Sequence, residues 1–111
     1  MRLALDTGAP TTCLDPTRVK SMNLDWKRAE DLPGGERCPK AKSLMAAEFD
    51  GLEVGRFKTG RVRVYSVDLG RVNGILQELK EEPLDGFLGG DVLSKYSAVL
   101  DFPSMGLYLK D

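Results

Sequence analysis

Histidine is absent from this 111-residue chain. That absence excludes Ser-His-Asp and Cys-His catalysis and every histidine-based zinc or copper site. Any enzymatic chemistry must come from carboxylates, Lys, Tyr, Ser/Thr or thiols. Cysteine is scarce, with only Cys13 and Cys38, too few for a disulfide scaffold or a four-cysteine zinc site. Their wide spacing makes no metal or redox motif, and two partly buried free thiols or a single disulfide both remain open. No run approaches the ~18 apolar residues of a membrane span, and no charged-then-apolar leader stands at the start. A cytoplasmic setting without a membrane partner is therefore expected. An excess of one charge is also missing: 16 Lys+Arg stand against 17 Asp+Glu, a net charge of -1. A protein whose affinity comes from nucleic-acid phosphates needs a basic surplus, so no nucleic-acid partner is expected.

What is present describes one domain over residues 1–111, with 41% hydrophobic and 30% charged residues and no internal repeat or linker. Arg2-Leu3-Ala4-Leu5 is a short apolar run that stops at Asp6-Thr7-Gly8, where the glycine can take positive φ. Asp15-Pro16 offers a helix N-cap followed by proline at the first helical position, and the spacing of Val19, Met22 and Leu24 predicts a short helix over Thr17 to Leu24. From Asp25 to Lys42 the chain is polar, with Pro33-Gly34-Gly35 as a turn signal, and reads as an exposed loop or hairpin tip.

Alternation follows. Leu44 to Leu52 is a weak strand candidate, and Phe57, Val62, Val64, Tyr65 and Val67 make a stronger one. The intervening Arg56, Lys58, Arg61 and Arg63 read as the solvated face of a half-buried strand rather than a basic binding stripe. Between Leu69 and Glu82 the period turns helical, with Val72, Ile75, Leu76 and Leu79 on one face and Pro83 closing it. Leu84 to Leu88 reads as a strand ended by Gly89-Gly90. Asp91 is placed as the cap of a helix over Val92 to Tyr96, and Val99 to Leu109 as a terminal hairpin about Pro103 to Gly106. Many short strands with two or three small helices predict a mainly β domain, a small closed β-barrel. Asp85, Asp91 and Asp101 are assigned to capping and turns rather than to a metal.

Two features carry chemistry: Leu5-Asp6-Thr7-Gly8-Ala9 near the start and Phe87-Leu88-Gly89 near the end. An aspartate leaving an apolar strand into a Thr-Gly turn sits against a low-dielectric background, with backbone N–H groups free to bond its oxygens. Taken alone it is also explained as a local Asx-turn acceptor. Together with Asp91-Val92-Leu93, Ala98-Val99-Leu100-Asp101-Phe102 and Gly106-Leu107-Tyr108-Leu109, these motifs resemble the retropepsin-like aspartic proteases, specifically the single-domain bacterial type.

That resemblance implies an aspartic endopeptidase of the retropepsin-like acid-protease fold. Asp6 would be the catalytic residue, with Thr7, Gly8 and Ala9 supporting the catalytic loop. Pro33, Gly34 and Gly35 would lie at a substrate-binding flap, and Leu88 and Gly89 would pack behind the loop. The family needs two facing carboxylates and this chain has one matching motif, so a homodimer is implied, one Asp6 coming from each copy, with peptide or protein as substrate. The dyad would share one proton and activate a water, with no metal and no cofactor. Pro10 stands where the family usually has a small polar residue. Only Met1 to Leu5 precede Asp6, where the family has an N-terminal hairpin, so the N-terminal strands are expected to be truncated. The competing reading is a catalytically silent module of the same kind, serving dimerisation or peptide binding.

Overall fold

The computed structural model describes residues 1–32 and 44–110. The expected flap residues Pro33, Gly34 and Gly35, and Cys38, lie outside the described residues. The strands are β1 (Leu3–Leu5), β2 (Cys13–Leu14), β3 (Lys27–Arg28), β4 (Met45–Asp50), β5 (Glu53–Val54), β6 (Phe57–Lys58), β7 (Arg61–Ser66), β8 (Gly86–Leu88), β9 (Val99–Asp101) and β10 (Gly106–Tyr108). Two α-helices accompany them, α1 (Gly70–Glu78) and α2 (Gly90–Lys95). No helix among the described residues is long and apolar enough to cross a membrane.

The domain is mainly β, as expected, but the described residues do not form a closed barrel. Six strands make an open sheet in the order β1-β8-β2-β7-β4-β3, and β9–β10 and β5–β6 form two separate ribbons. The outermost strands of the sheet, β1 and β3, have three and two residues. Ladders that short cannot carry the tilt and stagger that closing a sheet on itself requires.

The alternation in β7 holds. Val62 and Val64 point into the core, while Arg61 and Arg63 point out. Both arginines are engaged by Glu48 on β4, directly across the ladder from Arg63. Arg63 Nε donates to Glu48 Oε1 at 2.9 Å, and an Arg61 guanidinium nitrogen lies 3.1 Å from Oε2. These bonds hold the Glu48 carboxyl below its ordinary range, the Arg63 hydrogen bond contributing most. The charged positions therefore serve a cross-strand pair as well as solvent.

The core has two main parts. Leu52, Val62, Leu88, Val92, Leu93 and Tyr96 pack on one side, and Leu14, Val19, Ala47 and Val64 on the other. Leu3 and Phe49 touch both. Phe57 meets the Tyr96 ring edge-on at 5.1 Å between centroids.

Two helix expectations need correction. Over 17–24 the chain forms turns and a single 3-10 turn at Lys20–Met22, not an α-helix. The Asp15 carboxylate accepts from the Thr17 amide and hydroxyl at 2.9 and 2.7 Å and its carbonyl accepts from the Arg18 and Val19 amides, so the expected cap is present and only the helix beyond it is missing. Asn23 then takes left-handed φ (52°) and ends the segment. The apolar residues still serve the core, since Val19 is buried and Met22 and Leu24 pack against it. The second correction concerns the position of Asp91: the cap residue of α2 is Gly89, and Asp91 lies in the first turn, where its Oδ1 accepts from the Val92 amide at 2.8 Å. Its carboxylate is also directed at Thr12, as described below.

Helix α1 forms with its apolar positions on one face, yet among the described residues that face is largely uncovered: none of the helix is buried, Leu76 is half-buried, and Val72 and Ile75, with Leu79 at the helix end, are exposed.

Candidate active site

Strand β8 lies between β1 and β2, running parallel to the first and antiparallel to the second. The loop joining β1 to β2 must therefore pass over the end of β8, and Asp6 opens that loop. The Asp6 amide donates to the Leu88 carbonyl at 3.0 Å, which extends the β1–β8 pairing by one residue to the carboxylate itself. The turn closes tightly, with the Ala9 amide on the Asp6 carbonyl (3.2 Å) and the Gly8 amide on Asp6 Oδ1 (3.0 Å). One carboxylate oxygen is thus oriented by a backbone N–H. The other has no partner among the described residues. Asp6, Thr7 and Gly8 are exposed and Ala9 is half-buried. The Thr7 hydroxyl makes no hydrogen bond among the described residues.

The far side of the loop is fastened to the start of α2. The Gly90 amide donates to the Ala9 carbonyl at 2.7 Å and the Asp91 amide to the Pro10 carbonyl at 3.1 Å. Beneath them Thr12 is fully buried. Its hydroxyl donates to Asp91 Oδ1 at 2.7 Å and accepts from the Gly89 amide at 3.0 Å, while its own amide donates to Asp91 Oδ2 at 3.0 Å. Loop, β8 and α2 are joined through one hydroxyl and one carboxylate. Gly89 is required by contact rather than by torsion. A Cβ there would strike the Thr11 carbonyl, and one on Gly86 would strike that of Cys13. Leu88 and Gly89 are both buried, and the Leu88 carbonyl is the acceptor for the Asp6 amide.

Thr12 and Asp91 in this role were missed. The available signal was a buried-type threonine four residues after Gly8, paired with an acidic residue just beyond the Gly89-Gly90 step.

The remaining acidic candidates have other partners. Asp85 accepts from the Arg2 amide (2.6 Å) and from Arg18 (3.1 Å). Asp101 accepts from the Ser104 hydroxyl at 2.7 Å, a turn duty as expected. Asp15 is buried and accepts from the Leu69 amide (3.0 Å) as well as from Thr17. Burial pushes the Asp15 carboxyl up, but these hydrogen bonds, with Arg18 nearby, outweigh it and hold the group below its ordinary value. Cys13 is a free thiol that burial pushes up, so it is a poor nucleophile.

The sequence neighbours of Asp6, Leu5 and Thr7, each help to line hollows, two of which adjoin at Leu100. One, of about 170 Å³, is lined by Leu5, Leu100, Phe102, Met105 and Leu107. The other, of about 360 Å³, is lined by Thr7, Leu93, Ser94, Ser97 and Leu100. They share Leu100, and Asp6 itself lines neither. Comparison with protein-family models, curated proteins and solved structures returned no match to this chain.

Proposed function

We propose that the chain is an aspartic endopeptidase of retropepsin-like type, active as a homodimer that brings together one Asp6 from each copy. The observation that carries the reading is the state of the Asp6 carboxylate. It is exposed at the mouth of a loop, one oxygen is fixed by the Gly8 amide at 3.0 Å, and the other is unbonded among the described residues. A purely local turn would need no anchorage as deep as the Thr12–Asp91 bonds beneath it.

In the dimer the two carboxylates share one proton, because like charges at close range cannot both ionise. The ionised one takes a proton from a water. The oxygen of that water attacks the scissile carbonyl carbon while the protonated carboxyl donates to the carbonyl oxygen. Collapse of the tetrahedral species breaks the C–N bond, the amine leaves with a proton, and the shared proton is restored to the dyad. Thr7, whose hydroxyl has no partner within one copy, braces the paired loops. The exposed Gly8 carbonyl accepts from the backbone of an extended peptide.

Substituting Asp6→Asn tests this. An amide oxygen can still accept from Gly8, so the unfolding midpoint should not move, while hydrolysis of a peptide library should disappear. Hydrolysis retained at the parent rate refutes the reading. A well-folded parent that cleaves nothing leaves the silent binding module as the better account.

A further inference from the structure

The geometry points to Asn73 as a site of spontaneous deamidation, gated by the opening of α1, whose conversion releases the segment that leads into β8. This goes beyond the reading above and stands whether or not the chain cleaves peptides.

The reaction needs a carboxamide, a following backbone nitrogen that can reach it, and help for the charge that develops on the amide oxygen. The chain has two asparagines, Asn23 and Asn73. Asn23 is followed by Leu24, whose branched side chain crowds the approach, whereas Asn73 is followed by Gly74. Gly74 is exposed, and a Cβ built on it would have nothing within 4 Å. Glycine also gives the backbone the widest range of angles through which its nitrogen can turn toward the Asn73 side chain.

The Asn73 carboxamide is held at both ends by one residue. Its nitrogen donates to the Leu84 carbonyl at 3.0 Å, and its oxygen accepts from the Leu84 amide at 2.8 Å. The second bond aims a fixed N–H at the oxygen where negative charge collects when Cγ is attacked, which is how a donor lowers the barrier to acyl transfer. What withholds the attack is the helix. Inside α1 the Gly74 amide is engaged with the carbonyl four residues back, and it must be freed first. Helix α1 has only nine residues, includes both Gly70 and Gly74, and buries none of them. A helix of that length is marginal without packing, and a segment with so little buried surface opens at low cost.

On opening, the Gly74 nitrogen gives its proton to solvent base and bonds to Cγ of Asn73. The bond from Cγ to the side-chain nitrogen breaks, and that nitrogen leaves as ammonia with a proton from water. Water then opens the cyclic imide at one carbonyl to give aspartate, or at the other to give isoaspartate.

Either product undoes the clamp. A carboxylate still accepts from the Leu84 amide, but it has no N–H for the Leu84 carbonyl, and oxygen then faces oxygen. Leu84 is followed by Asp85, whose carbonyl accepts from the Asp15 amide at 2.8 Å and whose carboxylate accepts from the Arg2 amide and from Arg18. Next comes β8, whose Leu88 carbonyl fixes the Asp6 amide. The loss therefore falls where the N-terminal strand and β8 come together.

Peptide mapping by mass spectrometry is the test, on the parent held at mildly alkaline pH both folded and in urea. Conversion should occur at Asn73 and not at Asn23. It should be about tenfold to a hundredfold slower in the folded chain, a measure of how seldom α1 is open. Gly74→Ala should slow it about tenfold further, because a Cβ narrows the angles that bring the nitrogen onto Cγ. Converted parent, separated by ion exchange, should melt about 5 °C lower, and Asn73→Asp should fall in the same direction. A folded parent that keeps Asn73 intact while the unfolded chain converts overturns the inference, as does a folded chain that converts as fast as the unfolded one. Converted protein with an unchanged melt refutes the clamp, and because it is made from folded parent that result does not depend on how Asn73→Asp folds.

Discussion

The Thr12 hydroxyl offers the sharpest test of how the Asp6 loop is held. Thr12→Val keeps the shape and removes the oxygen. The charge-assisted bond to Asp91 Oδ1 at 2.7 Å is lost, and the buried Gly89 amide, 3.0 Å from that oxygen, loses its acceptor. The first change costs ~1.5–3 kcal/mol and the stranded amide a further ~1–3 kcal/mol. The two share one atom and are not fully additive. A total of about 3 kcal/mol is expected, and Val regains only part of it through its added methyl. For a domain of this size that corresponds to a fall in Tm of about 15 °C. Thr12→Ser restores the oxygen and should lie within about 1 kcal/mol of the parent. Urea unfolding followed by circular dichroism measures each difference, and a cycle with Asp91→Asn isolates the coupling. If Thr12→Val costs less than about 1 kcal/mol, the hydroxyl does not anchor the loop and the account of the latch is wrong.

Two further outcomes follow from the geometry. Gly74 sits inside α1 with nothing within 4 Å of a Cβ built on it, so Gly74→Ala should stabilise by about 0.5–1 kcal/mol in a thermal or urea melt. A destabilised variant would show that α1 is covered at that face in solution. Asp15 contributes to acid stability alongside Glu48: its carboxyl is held below the ordinary value, so its contribution is complete above ~pH 4 and fades as pH falls through the lower folded value. In Asp15→Asn the fall of unfolding free energy below that pH should be shallower, and an unchanged slope would contradict the assignment.

Much of the fold is legible in the residue pattern, and the exceptions have physical reasons. The strict alternation of Arg61 to Tyr65 yields β7, and the turn residues 103–106 yield the terminal hairpin, because period and turn chemistry are local properties. The segment 17–24 has helical spacing and its Asp15 cap forms, but it runs only to a 3-10 turn at Lys20–Met22 before Asn23 takes left-handed backbone. The apolar face of α1 is where the period puts it, though largely uncovered. Periodicity shows that a face exists, not what packs against it. The open sheet and the Thr12–Asp91 pair were not legible, as both depend on which distant strands become neighbours. For the candidate site, sequence singles out Asp6 and its turn, while the bonds that hold the turn from below come from residues 79 positions apart.

The position of β8 between β1 and β2 has a consequence for how the chain matures. Arg2 and Asp85, bonded at the entrance to that arrangement, are 83 residues apart. During synthesis, which proceeds from the N-terminus, β1 and β2 are made before β8 and have a vacant slot between them until it follows. The Asp6 loop is thus made well before it can gain its shape. A chain interrupted before β8 would hold the aspartate without its orienting framework, and so the potential for chemistry waits on the arrival of β8 and α2.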